Sequence, residues 1–166
     1  FLFHGETGIG KTATALALAR ELGATDGMSG LRIVASGEQS ADAVRECNEA
    51  MTCSPLMGSW NVTVVNECDR MSKQAETIWL DALESLPRHA VVVFTTNHMD
   101  ALTDRFRDRC MSFEFGSDAP SMVVDAIAWV RRIASNVDAP SIVQGAIVNG
   151  KLSLRRVAAG IKAATM

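Results

Sequence analysis

The sequence has no cysteine pair spaced C-x-x-C, no long apolar run, no excess of basic charge and no low-complexity tract. Each absence narrows the field. Cys47, Cys53, Cys68 and Cys110 stand apart from one another, with no histidines at zinc-finger distances. That pattern argues against a zinc site or disulfide framework and for free thiols in a reducing cytoplasm. Apolar stretches such as residues 90–94 fall far short of the about 18 residues a spanning helix needs, so no membrane segment is expected. A net charge of -3 excludes a uniformly basic surface, so any nucleic-acid contact has to come from a local patch. The chain opens on Phe1-Leu2-Phe3-His4, a strand pattern without charged leader or cleavage site. That opening is expected of a segment of a longer protein, not of a secreted one.

What is present is enough apolar material for a core: 48% of the 166 residues are hydrophobic and 21% charged. One domain plus a small satellite is expected. Residues 1–3 read as a buried strand, 5–10 as a glycine turn and 12–22 as a helix. Strand-like 31–35 and helix-like 40–51 follow, then a β-branched run at 62–65, a helix over 73–86 stopped by Pro87, and a second apolar run at 91–95. Continuous apolar runs without alternation suit strands covered on both faces of a parallel sheet. After a last short strand at 113–115, a turn-rich break at Gly116-Ser117-Asp118-Ala119-Pro120 leads into helical signals at 121–135, 141–148 and 153–165. The fold class is therefore α/β, a parallel sheet flanked by helices over residues 1–117, with a small all-helical unit over 118–166.

Gly5-Glu6-Thr7-Gly8-Ile9-Gly10-Lys11-Thr12, with Ala13 following, fits the phosphate-loop pattern G-x-x-x-x-G-K-[ST] and stands between a strand and a helix start, as that pattern requires. Glycines let successive backbone N–H groups converge on phosphates at the positive end of the helix dipole. Lys11 would reach the β and γ phosphates and the Thr12 hydroxyl would ligate Mg²⁺. The ligand expected is a nucleoside triphosphate, read as ATP, with Mg²⁺.

Strand C-terminal ends line the ligand crevice of open parallel sheets. The run at 62–65 ends in Asn66-Glu67, and the run at 91–95 ends in Thr96-Asn97. Glu67 is the candidate to polarise an attacking water, and Asn66 the candidate for the metal shell. Most P-loop ATPases carry Asp where Asn66 stands; an amide accepts hydrogen bonds but brings no negative charge. Asn97 is placed to orient the same water, provided its strand lies beside the one that carries Glu67.

From Phe3-His4-Gly5 through Lys11-Thr12-Ala13 to Glu21-Leu22 the sequence resembles the opening of AAA+ ATPases, and within them the small subunits of replication clamp loaders, of the replication factor C and DNA polymerase III type. Val64-Val65-Asn66-Glu67-Cys68-Asp69 resembles that family's Walker B segment and Phe94-Thr95-Thr96-Asn97 its sensor 1 strand. Asp108-Arg109-Cys110 resembles its Ser-Arg-Cys motif, which implies that Arg109 is an arginine finger acting on a neighbouring subunit's γ-phosphate. Ser153-Leu154-Arg155-Arg156 resembles the sensor 2 helix, which implies that Arg155, with Arg156 in reserve, touches the nucleotide of its own subunit. The resemblance further implies other AAA+ subunits as partners, in a homo- or hetero-oligomer, together with a sliding clamp and DNA. It sets Arg45, Arg70 and Lys73 toward the DNA backbone.

Two other readings stay open. One is another AAA+ DNA-processing motor, such as a helicase loader. The other is a non-hydrolysing ATP-binding subunit, structural or regulatory, which donates Arg109 to a neighbour while its own Asn66 site holds nucleotide.

Overall fold

The apolar runs that lack alternation become strands buried on both faces. In the computed structural model, which describes residues 1–165, the chain divides into two units: Phe1–His4 with Lys11–Glu114, and Gly5–Gly10 with Phe115 onward.

The first unit is a five-stranded sheet with helices. In chain order its elements are β1 (Leu2–Gly5), α1 (Lys11–Glu21), β2 (Leu31–Val34), α2 (Ala41–Thr52), β3 (Asn61–Val65), α3 (Lys73–Glu84), β4 (Ala90–Thr96), α4 (Asp104–Asp108) and β5 (Ser112–Phe115). Strand order is β2-β3-β4-β1-β5. The pairs β2/β3, β3/β4 and β4/β1 are parallel, with Val65 opposite Phe94 and Phe3 opposite Thr95. Every residue of β3 is buried. The strand ending at Asn66 and the strand ending next to Asn97 are therefore immediate neighbours, as the role read for Asn97 requires.

Helix starts are set by side-chain caps. Ser40, Ser72 and Thr103 each accept the N–H three residues on, at 3.2, 3.1 and 3.3 Å, opening α2, α3 and α4. Such caps stabilise a helix by about 1 kcal/mol each. Below β4 the rings of Trp79, Phe94 and Phe106 pack edge to face, with centroids 5.1 and 4.9 Å apart. Each such pair contributes about 0.5–1.5 kcal/mol beyond area burial. Phe106 thereby ties α4 to β4. Glu76 of α3 adds a polar tie, accepting the Thr103 N–H at 2.9 Å and the Thr103 hydroxyl.

The second unit holds α5 (Ala119–Ile133), α6 (Ala139–Gly145) and α7 (Leu154–Thr165), packed around Val130, Val143, Leu152 and Val157. The expected helices are there, and so is a two-stranded antiparallel ribbon, β6 (Ile147–Val148) and β7 (Lys151–Leu152). Its turn is Asn149-Gly150, both at positive φ. This dipeptide favours tight hairpins because both central residues must adopt φ > 0. Helix α6 accordingly stops at Gly145, short of the 148 read from the sequence. No described helix is long and apolar enough to cross a membrane.

Candidate functional site

At the C-terminal ends of β3 and β4 the polar side chains converge on the first turn of α1. The Lys11 ammonium donates to Asn97 Oδ1 at 2.8 Å. An ammonium only donates, so the atom facing it has to be the amide oxygen. The Thr12 hydroxyl donates to Asn66 Oδ1 at 2.9 Å. The two strand-end asparagines thus meet the two side chains that close the glycine motif. Lys11 is buried, while Thr12 and Ala13 are exposed.

Glu67 follows directly. Its backbone is left-handed, φ 51° and ψ 52°, uncommon for a residue with a Cβ. Three contacts hold it there. The Glu67 N–H donates to Thr95 Oγ1 at 3.3 Å, its carbonyl accepts the Arg70 N–H at 3.0 Å, and Gln39 Nε2 donates to the carbonyls of Asn66 and Glu67. Sparsely populated backbone states cost about 1–3 kcal/mol and persist where the surroundings over-determine them. The Glu67 carboxylate pairs with Arg70 Nε at 3.2 Å. Asp69, the next acidic residue, accepts from the Thr96 hydroxyl at 2.6 Å, and Thr96 Oγ1 in turn accepts the His98 N–H at 2.9 Å.

Sequence reading missed Gln39, and it named Thr95 and Thr96 only as part of the strand resembling sensor 1, with no role of their own. The two threonines carried one faint signal, hydroxyls closing a strand otherwise made of Ala, Val and Phe; Gln39 carried none.

Within the second unit the glycine loop is bonded to the start of α7. The Arg155 N–H donates to the Gly8 carbonyl at 3.0 Å. Gly8 has φ +81°, and a Cβ there would lie 2.6 Å from Ser153 Oγ. Only glycine fits so close an approach at positive φ. Gly5 and Gly10 also have positive φ, and Ile9 between them is buried. Glu6 forms an ion pair with Lys151 and accepts from Ser117 Oγ at 2.9 Å, while Thr7 is exposed. The side chains of Arg155 and Arg156 are exposed.

Arg109 does not join the polar cluster. It is half-buried at the end of α4, ion-paired with Glu84 of α3 and donating to the Arg105 carbonyl at 3.3 Å. That hydrogen bond and charge hold the Glu84 carboxyl below its ordinary value. Each cation expected to face DNA pairs with a carboxylate three residues away: Arg45 with Asp42 at 2.5 Å, Arg70 with Glu67 at 3.2 Å and Lys73 with Glu76 at 3.6 Å. The four cysteines are free thiols, and burial pushes those of Cys47, Cys68 and Cys110 up.

The residues fit a phosphate with a hard cation in part: an ammonium, a hydroxyl and an amide oxygen, but no group of three or more metal-binding side chains among the described residues. Mg²⁺ is typically held by one or two protein groups plus waters and substrate phosphates, so the small donor set is compatible.

Residues 27–119 match the family described as DNA polymerase III, delta subunit. The chain belongs to that family. A replication factor C small subunit from Methanocella arvoryzae is 30% identical over 138 residues, 81% of this chain and 42% of that protein. Another from Methanoculleus marisnigri is 29% identical over 149 residues, 88% of this chain and 45% of that protein. The chain spans less than half the length of these relatives. A solved structure of a DNA polymerase III, gamma subunit-related protein from Thermotoga maritima superimposes with a TM-score of 0.64 at 16% identity, covering 96% of this chain and 65% of that one. Family and fold together make this a clamp-loader-like AAA+ protein. The family match begins after the glycine loop, so the loop's reading rests on its own motif and geometry.

Proposed function

We propose that this chain is an ATP-binding module of clamp-loader type, which takes Mg²⁺·ATP on the segment Gly5 to Ala13 and hydrolyses it in an assembly of AAA+ subunits. The observation that carries the reading is the pairing of Lys11 with Asn97 and Thr12 with Asn66 at 2.8 and 2.9 Å, which joins the end of the motif to the ends of the two central strands.

In this reading the loop N–H groups and Lys11 bind the phosphates, and Thr12 supplies a hydroxyl oxygen to the cation with its proton still directed at Asn66 Oδ1. Mg²⁺, when bound, supplies neutralisation of phosphate charge. Glu67 accepts a hydrogen bond from the attacking water, for which its carboxylate has to leave Arg70, and Asn97 orients that water. Arg155 contacts the nucleotide of its own subunit. Arg109 serves the γ-phosphate of a neighbouring subunit, and its bonding to Glu84 and Arg105 instead of to the Lys11 cluster supports a role in trans. A sliding clamp and DNA are the partners of such an assembly, and the cytoplasm its compartment.

Asn66 favours a second reading, a subunit that holds ATP without turning it over and donates Arg109 to a neighbour. Titration calorimetry with ATP, with and without Mg²⁺, tests the shared premise: failure to bind at millimolar ATP removes both readings. Turnover at this subunit's own site in the reconstituted assembly then separates them.

A further inference from the structure

The amide of Asn66 is fixed from behind by Thr95. Asn66 Oδ1 accepts from Thr12 Oγ1 at 2.9 Å and from Thr95 Oγ1 at 3.4 Å. Thr95 Oγ1 also accepts the Glu67 N–H at 3.3 Å. A hydroxyl has one proton, and with a lone pair engaged by that N–H the proton goes to Asn66. A relay results: Glu67 N–H to Thr95 hydroxyl to Asn66 Oδ1, met from the far side by the Thr12 hydroxyl. Thr95 is only 3% exposed, so its hydroxyl is shielded from bulk solvent.

We infer that Thr95 is a positioning residue for the Mg²⁺·ATP site, orienting the Asn66 amide so that a neutral side chain does the work for which a carboxylate needs no orienting. The inference rests on the P-loop reading above. A carboxylate accepts at both oxygens, so rotating it by half a turn changes nothing. An amide accepts at one end only. Rotated, Asn66 would aim its NH₂ group at the Thr12 oxygen, occupy a lone pair there and turn the hydroxyl proton toward the cation. The rotated amide would also face the Thr95 hydroxyl with a second donor, leaving a buried proton without an acceptor. Thr95 therefore selects the rotamer in which Thr12 keeps its free lone pairs outward, and through the Glu67 N–H it anchors the left-handed residue beside it.

The test uses this chain, a fluorescent ATP analogue and a series of Mg²⁺ concentrations, with EDTA as the metal-free arm. Thr95→Val keeps size and branching but removes the hydroxyl; it should need about tenfold more Mg²⁺ for half-maximal tightening, the loss of roughly one hydrogen bond. Affinity in EDTA should match the parent, and Thr95→Ser should behave as the parent. The deciding arm is the double variant. With Asn66→Asp in place the symmetric carboxylate needs no orienting, so adding Thr95→Val should leave its Mg²⁺ dependence unchanged. A Thr95→Val effect equally large in both backgrounds, equally large with and without Mg²⁺, or absent, overturns the proposal. Where valine lowers the melting temperature below that of the assay, Thr95→Ala carries the same comparison. If the parent binds no nucleotide in either arm, the P-loop reading falls first and this proposal with it.

Discussion

The Lys11 ammonium and the Asn97 amide oxygen, 86 residues apart in the chain, lie 2.8 Å from one another. The stem of Lys11 is buried, so Lys11→Ala removes packing as well as charge; Lys11→Met keeps the stem and isolates the charge. Both variants should weaken ATP binding at least about 100-fold, on the scale of a lost charged hydrogen bond in a partly desolvated site. Circular dichroism should show an intact fold for Lys11→Met. Unchanged affinity in nucleotide titration would remove the loop assignment.

Asn66→Asp should tighten Mg²⁺·ATP binding and raise hydrolysis in the assembled state. A carboxylate near the cation adds attraction where the effective dielectric is about 20 rather than that of water. Glu67→Gln in the same background should remove the gained turnover and preserve binding, since the amide keeps shape but is a poor base. Metal affinity and turnover both unmoved by Asn66→Asp would place residue 66 outside the metal shell.

Arg109 predicts a concentration dependence. The isolated chain should hydrolyse ATP slowly, and in an assembly Arg109→Ala should reduce turnover by about 10³ to 10⁵ at the neighbour's site without changing nucleotide affinity at its own. Brisk turnover per molecule that survives dilution contradicts a finger acting in trans.

The pairing of Arg109 with Glu84 predicts a stability change with pH. Hydrogen bonding to Arg109, then its charge, lowers the Glu84 carboxyl from an ordinary value of 4.5. A lowered folded value means that this contribution is present above pH 4.5 and lost as pH falls through the folded value. Thermal melts should show the parent above Glu84→Gln near neutrality, with the gap closing on acidification and shrinking in high salt. A gap that fails to narrow as the pH falls below 4.5 would mean that another contact holds Arg109.

Much of the frame was readable because it follows from local pattern. The runs at 62–65 and 91–95 lack alternation, and β3 and β4 sit side by side at the centre of the sheet, largely or wholly buried. Those runs alone placed Asn66 and Asn97 at strand ends; that the two strands are neighbours came from the sheet order. Contacts through which side chains reach across the fold were not readable. Gln39 returns to the carbonyl of Asn66 from 27 residues away, and neither periodicity nor motif announces such a bond. The ribbon β6/β7 was hidden for another reason: two residues per strand are too few to show a period, and only the Asn149-Gly150 turn marked it.

The left-handed backbone of Glu67 limits what this position can become. Asp and Asn enter that conformation more readily than Glu, because a short polar side chain can bond locally. Glu67→Asp should therefore relax the turn, yet its carboxylate is one methylene shorter and would fall short of a water that Glu reaches. On the proposed role, stability and turnover pull residue 67 in opposite directions. A more comfortable residue lies one methylene away, and the chain does not use it.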